Sequence, residues 1–289
     1  MIDFLEINVN DVEKSRYKQF VVKKIDSKFI KQFDKNEIEF KKAVENKVGR
    51  KHKLNSMFNY LSMIFSIVSL ILALMVFQQI DIENKTFPMV LFVILLICLG
   101  LDIVFGIIQG RIKKEIKTIM NSDEITKYGL INKELESKML KELGAKEEVD
   151  KYDIFVRNVQ IKNNEVINAI KASYNNFALY CFKDDNAIYF CDTYELIKLE
   201  KKEIQDIQFV KDRISFATWT KKERFTDKKY KEFEIKYSAK GFYSVNSFYE
   251  IKILHQGKDF VLRIPGYEKK CLEDIFTYKD NEEAKNNEN

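Results

Sequence analysis

The sequence predicts an α+β membrane protein: a two-helix transmembrane hairpin, a helical juxtamembrane stalk and a C-terminal antiparallel β-barrel with a capping helix. Three observations predict this class. Two apolar runs, at 57–77 and 88–108, each have the roughly 20 residues that a helix needs to cross a bilayer. Basic residues flank the pair of runs at both outer ends. From residue 175 onward the apolar residues alternate with polar ones, which is typical of strands.

The pattern divides the chain into five segments. Residues 1–53 are predicted to be an N-terminal cytoplasmic helical segment, 54–110 the transmembrane hairpin, 111–174 a cytoplasmic helical stalk, 175–278 the β domain and 279–289 a disordered tail. In the first segment, Phe20, Phe29 and Phe33 are spaced as on an amphipathic helix. Such a helix either packs on the juxtamembrane region or lies on a surface or partner.

Composition excludes several classes of function. The net charge of +5, from 49 basic and 44 acidic residues, is too small to indicate a nucleic-acid polymer as partner. Four cysteines and two histidines occur without metal-ligand spacing, so no metal site and no cofactor is expected. Isolated cysteines of this kind are most often small buried hydrophobes in a reducing compartment.

The charges beside the spans predict their orientation. Before the first span come Lys41, Lys42, Lys47, Arg50, Lys51 and Lys53, and after the second come Arg111, Lys113, Lys114 and Lys117. The link between the spans holds Asp81 and Glu83 against one Lys85. Basic flanks stay in the cytoplasm. We therefore expect a multi-pass protein of the inner (cytoplasmic) membrane with both termini cytoplasmic and the lipid bilayer as its first partner.

The packing residues of the spans are predicted to be small or polar and to recur every three or four positions on one helix face. They are Ser62, Ser66, Ser69 and Ala73 in the first span and Asp102, Gly106 and Gly110 in the second, where the glycines form a GxxxG pattern. Small residues allow close helix approach, either within the hairpin or in a homo-oligomer or complex with a protein partner formed through the spans.

Asp102 is the one formal charge in either span. In a symmetric hairpin, residues at equal depth have numbers that sum to about 165, which places Asp102 beside Ser62 or Ser66, roughly 9 Å above the cytoplasmic end. A carboxylate there is costly unless it is hydrogen-bonded. Three interpretations stay open: Asp102 holds the hairpin or an oligomer together, it belongs to an ion or proton pathway, or it is tolerated near the interface.

A change in the spacing of the apolar residues separates the predicted stalk from the predicted β domain. Residues 111–144 are charged and helical, with Gly144 as terminator. Eight short alternating segments follow, from which about seven antiparallel strands are expected, at 177–183, 187–191, 194–200, 203–210, 214–220, 233–238, 249–255 and 258–264. Gln256 and Gly257 form a tight turn, and residues 267–276 form a final helix.

Three stretches carry a resemblance to a known family: the turn Asp184-Asp185-Asn186, LIKLEKKEIQDIQFV (196–210) and VLRIPGYEKKCLEDI (261–275). Their order resembles bacterial pleckstrin-homology-like (GRAM-type) domains attached to a two-helix membrane hairpin, over roughly residues 175–278. The resemblance implies a small barrel capped by the last helix and a binding role. A lipocalin-like or other small barrel is the alternative.

Pleckstrin-homology domains that bind phosphoinositides carry basic residues in the first hairpin, where this chain has Lys183 followed by Asp184 and Asp185. A later basic loop, interleaved with aromatic residues, is the better candidate for contact with anionic headgroups. Its basic residues are Lys221, Lys222, Arg224, Lys228 and Lys229. The alternative is a solvated loop that neighbouring acidic residues partly neutralise.

Two functions follow from these features. The chain has no GxSxG, HExxH, GxGxxG or glycine-rich phosphate loop, so we expect no enzymatic activity and assign no catalytic residue. The first hypothesis is a membrane-anchored scaffold or sensor, whose cytoplasmic domain binds a protein, peptide or lipid. The second is a ligand-gated two-span effector that oligomerises into a pore on binding a small molecule such as a nucleotide signal.

Overall fold

A computed structural model describes residues 2–78, 86–145, 149–162, 165–168, 173–218, 225, 230, 232–239 and 241–278. The chain divides into two compact units, one made of residues 31–136 and the other of residues 1–30 together with 137–289. The first is a helical unit and the second contains the strands. Each unit is described by itself.

Three helices build the helical unit. Helix α1 runs over Ser27–Gln78, α2 over Thr86–Met120 and α3 over Asp123–Glu142. Asn121 and Ser122 separate α2 from α3, and the Ser122 carbonyl accepts the amides of Ile125 and Thr126, both at 2.9 Å, in the first turn of α3. Helix α1 has 52 residues, so it extends over about 78 Å, more than twice the thickness of a bilayer core.

The helices of this unit pack in an antiparallel arrangement with a heptad-like seam. The half-buried and buried positions of α1 alternate at intervals of four and three, as do those of α2. The row that keeps this spacing comprises 51, 55, 58, 62, 65, 69 and 72 in α1 and 91, 95, 98, 102, 105, 109 and 112 in α2. Phe105 fills part of the seam between Phe58 and Phe65, with ring centroids 5.7 and 5.6 Å away.

Two helices are long enough and apolar enough to cross a membrane, over Ser27–Phe77 and Met89–Met120. Only 6% of the most apolar stretch of each is buried within the structure. Large side chains such as Ile67, Leu70 and Ile103 are exposed on the outer faces. The core helix of a soluble protein buries such side chains, so these helices do not resemble one.

The strands lie in the second unit. They are β1 (Ile2–Asp3), β2 (Glu6–Asn8), β3 (Val21–Lys24), β4 (Lys151–Lys162), β5 (Glu165–Asn168), β6 (Tyr174–Lys183), β7 (Ala187–Cys191), β8 (Glu195–Glu200), β9 (Ile204–Val210), β10 (Ile214–Ala217), β11 (Lys236–Ala239), β12 (Phe242–Val245), β13 (Phe248–His255) and β14 (Lys258–Pro265). A short helix α4, Lys269–Asp274, follows. The main path of the sheet is β11-β12-β10-β6-β4-β14-β13-β9, and β6 also leads through β7 to β8 and β3.

The predicted antiparallel β domain is confirmed, but its strands form an open sheet rather than the predicted closed barrel. Among the described strands, β9 pairs only with β13, β11 only with β12 and β3 only with β8, so neither the main path nor its branch closes on itself. Three pairs are parallel: β1 with β14, β2 with β4 and β10 with β6. The sheet therefore has more strands, and a more complex order, than a small antiparallel meander.

Additional strands come from two segments that were predicted to be helical. Residues 2–24 contribute β1 to β3, so helical structure begins only with α1 at Ser27. Residues 151–162 of the expected stalk form β4, a long strand at the centre of the sheet. The physical reason is burial, since Phe4 and Phe20 belong to the same core as Ile154.

Two apolar clusters form the core of the sheet unit. The larger includes Phe190, Ile251 and Leu262, and the smaller is aromatic, with Phe216 and Tyr243 among its members. Helix α4 buries its Cys271 and Leu272 in the larger cluster, which confirms the predicted C-terminal capping helix. The β13–β14 turn also has the predicted residues, Gln256 and Gly257, both with positive φ.

Candidate functional site

The hairpin seam holds a carboxylate between two hydroxyl groups. Ser62 Oγ donates to Asp102 Oδ1, and Ser66 Oγ donates to Asp102 Oδ2 at 2.8 Å. Both oxygens of Asp102 therefore have a donor on the facing helix, one helical turn apart. This is the pairing that equal depth in the hairpin predicts.

The other predicted packing residues separate into two groups. Ser69 is buried in the seam, and its hydroxyl has no hydrogen-bond partner in the part of the chain that the structure describes. Ala73 is half-buried, whereas Gly106 and Gly110 are exposed. A Cβ added at either glycine would meet no atom within 4 Å. The GxxxG pair thus lies on the outer surface of α2 and not between the two helices.

Sequence reasoning missed a second polar level of the seam. Asn55 lies seven residues before Ser62 and fourteen before Ser69, so the three polar side chains repeat on one stripe of α1. Gln109, seven residues after Asp102, is buried in the seam as well. The heptad spacing of Asn55, Ser62 and Ser69 is the signal that could have found this stripe.

The part of the helical unit beyond the apolar stretches is held by polar contacts between α1 and α3. Asn36 Nδ2 donates to Asn132 Oδ1 at 2.6 Å and to the carbonyl of Tyr128 at 2.9 Å, and Asn36 is buried. Phe40 packs edge-on against Tyr128 at 5.9 Å. A buried polar pair in a helical seam fixes the register of the helices.

The basic loop predicted to contact lipid lies outside the described residues: Lys221, Lys222, Arg224, Lys228 and Lys229. Two of its interleaved aromatic residues are described. Tyr230 is buried, and Phe225 packs against Tyr230 and Tyr243 with ring centroids 5.3 and 4.9 Å apart. These two rings belong to the aromatic core cluster and are not surface residues that could enter a bilayer.

A buried ionic network ties the N-terminal strand to the sheet. Asp3 accepts from Arg157 Nη1 at 2.9 Å, from Arg263 Nη1 at 2.5 Å and from the Tyr174 hydroxyl at 3.0 Å. Arg263 also pairs with Glu250 at 3.0 Å and donates to the Tyr174 hydroxyl at 2.6 Å. Burial, and then the charge of Asp3, raises the pKa of Tyr174, so its phenol stays neutral and can donate.

Asp184 stabilises a tight turn, as the sequence predicts for the Asp184-Asp185 pair. Its Oδ1 accepts the amides of Asn186 and Ala187, both at 2.8 Å, and its Oδ2 accepts the Tyr189 hydroxyl at 2.8 Å. The hydrogen bond from Tyr189, followed by that from the Asn186 amide, lowers the pKa of Asp184. The acidic turn that argues against phosphoinositide binding is therefore a structural element.

Several other titratable groups of the sheet unit also serve its packing. His255 Nδ1 lies 2.7 Å from Glu203 Oε1, and the buried Asp153 accepts the Tyr267 hydroxyl at 3.1 Å. Burial, and secondarily Asp192, raises the pKa of Cys191 to about 12. Over the described ranges, no three His, Cys, Asp or Glu side chains lie close enough to hold a metal ion.

Comparisons with protein-family models, with curated protein sequences and with solved structures give no match. The class of protein that the structure itself defines is therefore coarse: two helices able to cross a membrane and an open, mostly antiparallel sheet domain.

Proposed function

We propose that this chain is a non-enzymatic bacterial membrane protein whose two-span hairpin anchors a cytoplasmic, pleckstrin-homology-like sheet domain. That domain binds a protein, peptide or lipid and acts as a scaffold or sensor. The observation that carries the proposal is the division of side chains in the hairpin. Large apolar groups such as Leu70, which is 64% exposed, point outward, while Asp102 is half-buried and hydrogen-bonds to Ser62 and Ser66 of the facing helix.

This division supports a lipid environment. Apolar area exposed to water costs about 25 cal/mol per Å², and α1 and α2 expose apolar side chains along their whole apolar stretches. In hydrocarbon the same surface costs nothing, and the polar groups must instead be satisfied between the helices. The contacts that Asp102 makes with Ser62 and Ser66 meet that need.

The charged pairs indicate where the helices leave the bilayer. Lys51 pairs with Glu115, and farther from the apolar stretches Lys47 pairs with Glu124 of α3. Ion pairs of this kind need water or headgroups around them. With basic residues at both outer ends of the hairpin, we place these pairs and both termini on the cytoplasmic side of the inner membrane.

A photoreactive amino acid tests the anchoring. It replaces Leu70 on the outer face of the first span and, as the matched control, Tyr194, which is 58% exposed in the sheet unit. Mass spectrometry of the membrane-bound full-length protein after illumination should find acyl-chain adducts at position 70 and none at 194. Position 70 attached to protein or water alone would contradict the proposal.

A second candidate is the ligand-gated effector that forms a pore through its spans. The observation that favours it is the open surface at Gly106 and Gly110, which could admit another helix closely. Gly106→Ile should abolish oligomers in mild detergent, while Gly100→Ile, at an equally open glycine, should leave them intact. A monomeric full-length protein would remove this candidate.

A further inference from the structure

Strand β9 has the longest unpaired edge among the described strands of the sheet. Six of these strands, β1, β2, β3, β5, β9 and β11, pair with a neighbour on one side only. Five of the six have two to four residues, whereas β9 has seven, Ile204–Val210. Natural sheets protect such edges with short strands and with lysines. Strand β3 carries Lys23 and Lys24, but β9 contains no basic residue and no proline.

The main chain of β9 is used on its inner side. Residues 206–210 pair in unbroken register with residues 248–252 of β13. Within the described part of the chain, no other main-chain hydrogen bond reaches residues 204–210. In an antiparallel ladder, alternate residues direct their N–H and C=O groups away from the neighbouring strand. These outward groups can therefore pair with a further strand.

The two faces of β9 differ in polarity. Ile207 and Phe209 lie on the core side, where Phe209 is opposite the buried Tyr249 of β13 with ring centroids 5.0 Å apart. Phe209 is nevertheless 39% exposed, so the apolar layer ends at this edge. Asp206 and Gln208 alternate with these residues on the outer face, where Gln208 Nε2 donates to Asp206 Oδ2 at 2.6 Å. A strand that extends the sheet needs the same alternation.

A second copy of β9 has this alternation. When two copies pair antiparallel about Ile207, residues equally far before and after Ile207 lie opposite each other. Ile207 then meets its own counterpart on the core side, and each Asp206 carboxylate faces the Gln208 amide of the other copy. A centre at Asp206 would instead set two carboxylates against each other, and a centre at Gln208 would set Asp206 against Val210.

Charges just outside the strand agree with the same centre. Antiparallel pairing about Ile207 brings the exposed Lys202 of one copy near the exposed Asp212 of the other. The like-charged Lys201 and Arg213 also approach, but each is held elsewhere. Lys201 Nζ donates to the Asp184 carbonyl at 2.5 Å, and Arg213 Nε donates to the Ser244 hydroxyl at 3.0 Å.

We propose that β9 pairs antiparallel, about Ile207, with β9 of a second copy of this chain, so that two sheet units form one continuous sheet. This inference rests on the proposed binding role of the sheet domain and names its protein partner as a second copy. The anchoring of the protein in the membrane does not depend on it.

Disulfide cross-linking of the purified full-length protein in mild detergent tests the register, in a Cys98→Ser background. Ile207→Cys places the two thiols directly opposite each other, where Cα atoms are about 4.5 to 5.5 Å apart and a disulfide can form. The matched control Gln205→Cys places them four residues out of register, about 13 Å apart along the strands. With copper phenanthroline as oxidant, position 207 should form dimers at least about tenfold faster than position 205.

An exchange of charge tests the outer face. Gln208→Glu sets a carboxylate against Asp206 of the other copy, twice in each dimer, and should lower the yield of the Ile207→Cys dimer about tenfold. The double variant Asp206→Gln/Gln208→Glu again sets a carboxylate against an amide and should restore the yield. Restoration would not follow from a general loss of folding or from added charge alone.

If Ile207→Cys does not fold, a mixture of Asp206→Cys protein and Gln208→Cys protein replaces it, and this mixture should cross-link faster than either variant alone. Equal rates at positions 205 and 207, no cross-link at 207 or in the mixture, or no effect of Gln208→Glu would overturn the proposal. A strand of another protein on this edge would block the cross-link and would overturn it as well. Failure here with lipid adducts still found at position 70 would leave the proposed membrane anchor standing.

Discussion

Ser66 on α1 donates a hydrogen bond to the Asp102 carboxylate on α2, with 2.8 Å between the oxygen atoms. Ser62 donates to the other carboxylate oxygen. A charged group in the apolar part of a hairpin is tolerated only when its oxygens have donors, because lipid offers none. The two serines therefore act as a pair, and the loss of one differs from the loss of both.

Replacing Ser66 by Ala should reduce hairpin stability by about 0.6 kcal/mol, the usual size of one interhelical hydrogen bond in a membrane. The double variant Ser62→Ala/Ser66→Ala should lose more than the sum of the single variants, since Asp102 then has no donor on α1. Unfolding in mixed detergent and SDS, followed by energy transfer between dyes on the two helices, measures both. Ser56→Ala, at an exposed serine of α1, is the control and should change little. Additive losses would contradict the paired role.

The Asn36–Asn132 contact should fix the register of α1 against α3. Asn36→Ala removes the donor to the half-buried Asn132 Oδ1 and to the Tyr128 carbonyl and should cost about 1 to 3 kcal/mol. The double variant Asn36→Leu/Asn132→Leu should recover stability but admit shifted pairings of the helices. Thermal unfolding and disulfide trapping between cysteines on the two helices measure the two effects. Ile38→Ala, at an exposed position, is the control. A double variant that keeps one register would show that other contacts set it.

Replacing two glycines by alanine, one just after α3 and one within it, should have opposite effects on stability. Gly144 ends α3 with a φ of +93°, so Gly144→Ala should cost about 1 kcal/mol. Gly129 lies within α3, where an added Cβ meets nothing within 4 Å, and Gly129→Ala should gain up to about 1 kcal/mol. Thermal unfolding of the two variants in one detergent compares them directly. Equal effects would mean that α3 does not end as described.

The thiols of the sheet unit should be inert while it is folded. Burial raises the pKa of Cys181 and, to about 12, that of Cys191, so neither is ionised at pH 9, where an ordinary cysteine, with a pKa of about 8.5, is mostly ionised. In a Cys98→Ser background, iodoacetamide at pH 9 should label Cys181, Cys191 and Cys271 only after the sheet unit unfolds. Rapid labelling of the native protein would contradict this burial.

Sequence reasoning succeeded where a pattern was long. Both apolar runs, the Asp102–Ser62 pairing, the turn at Gly257 and the final helix were predicted, because a helical seam and a hairpin follow from spacing along the chain alone. Asn55, Ser62 and Ser69 are also regularly spaced along the helix. This stripe was missed because it begins at Asn55, among the charged residues before the first apolar run.

The features that could not be predicted depend on contacts between residues that are far apart in the sequence. Strands β1 and β2 have two and three residues, too few for a period to show. The ionic network joins Asp3 to Arg157 and Arg263, which lie far apart in the sequence and meet only through the sheet. Local composition gives no sign that residues 2–24 join the sheet. Only the C-terminal strands were therefore counted, and a closed barrel was predicted from them.

The most direct test of the account is the accessibility of two introduced cysteines in intact cells. Glu83→Cys places a thiol in the link between the spans, and Leu254→Cys places one on the exposed surface of the sheet unit. A membrane-impermeant maleimide should label position 83 in intact cells and position 254 only after lysis. Labelling of position 254 from outside, or a protein that stays soluble without detergent, would contradict a hairpin that crosses the membrane with both its ends in the cytoplasm.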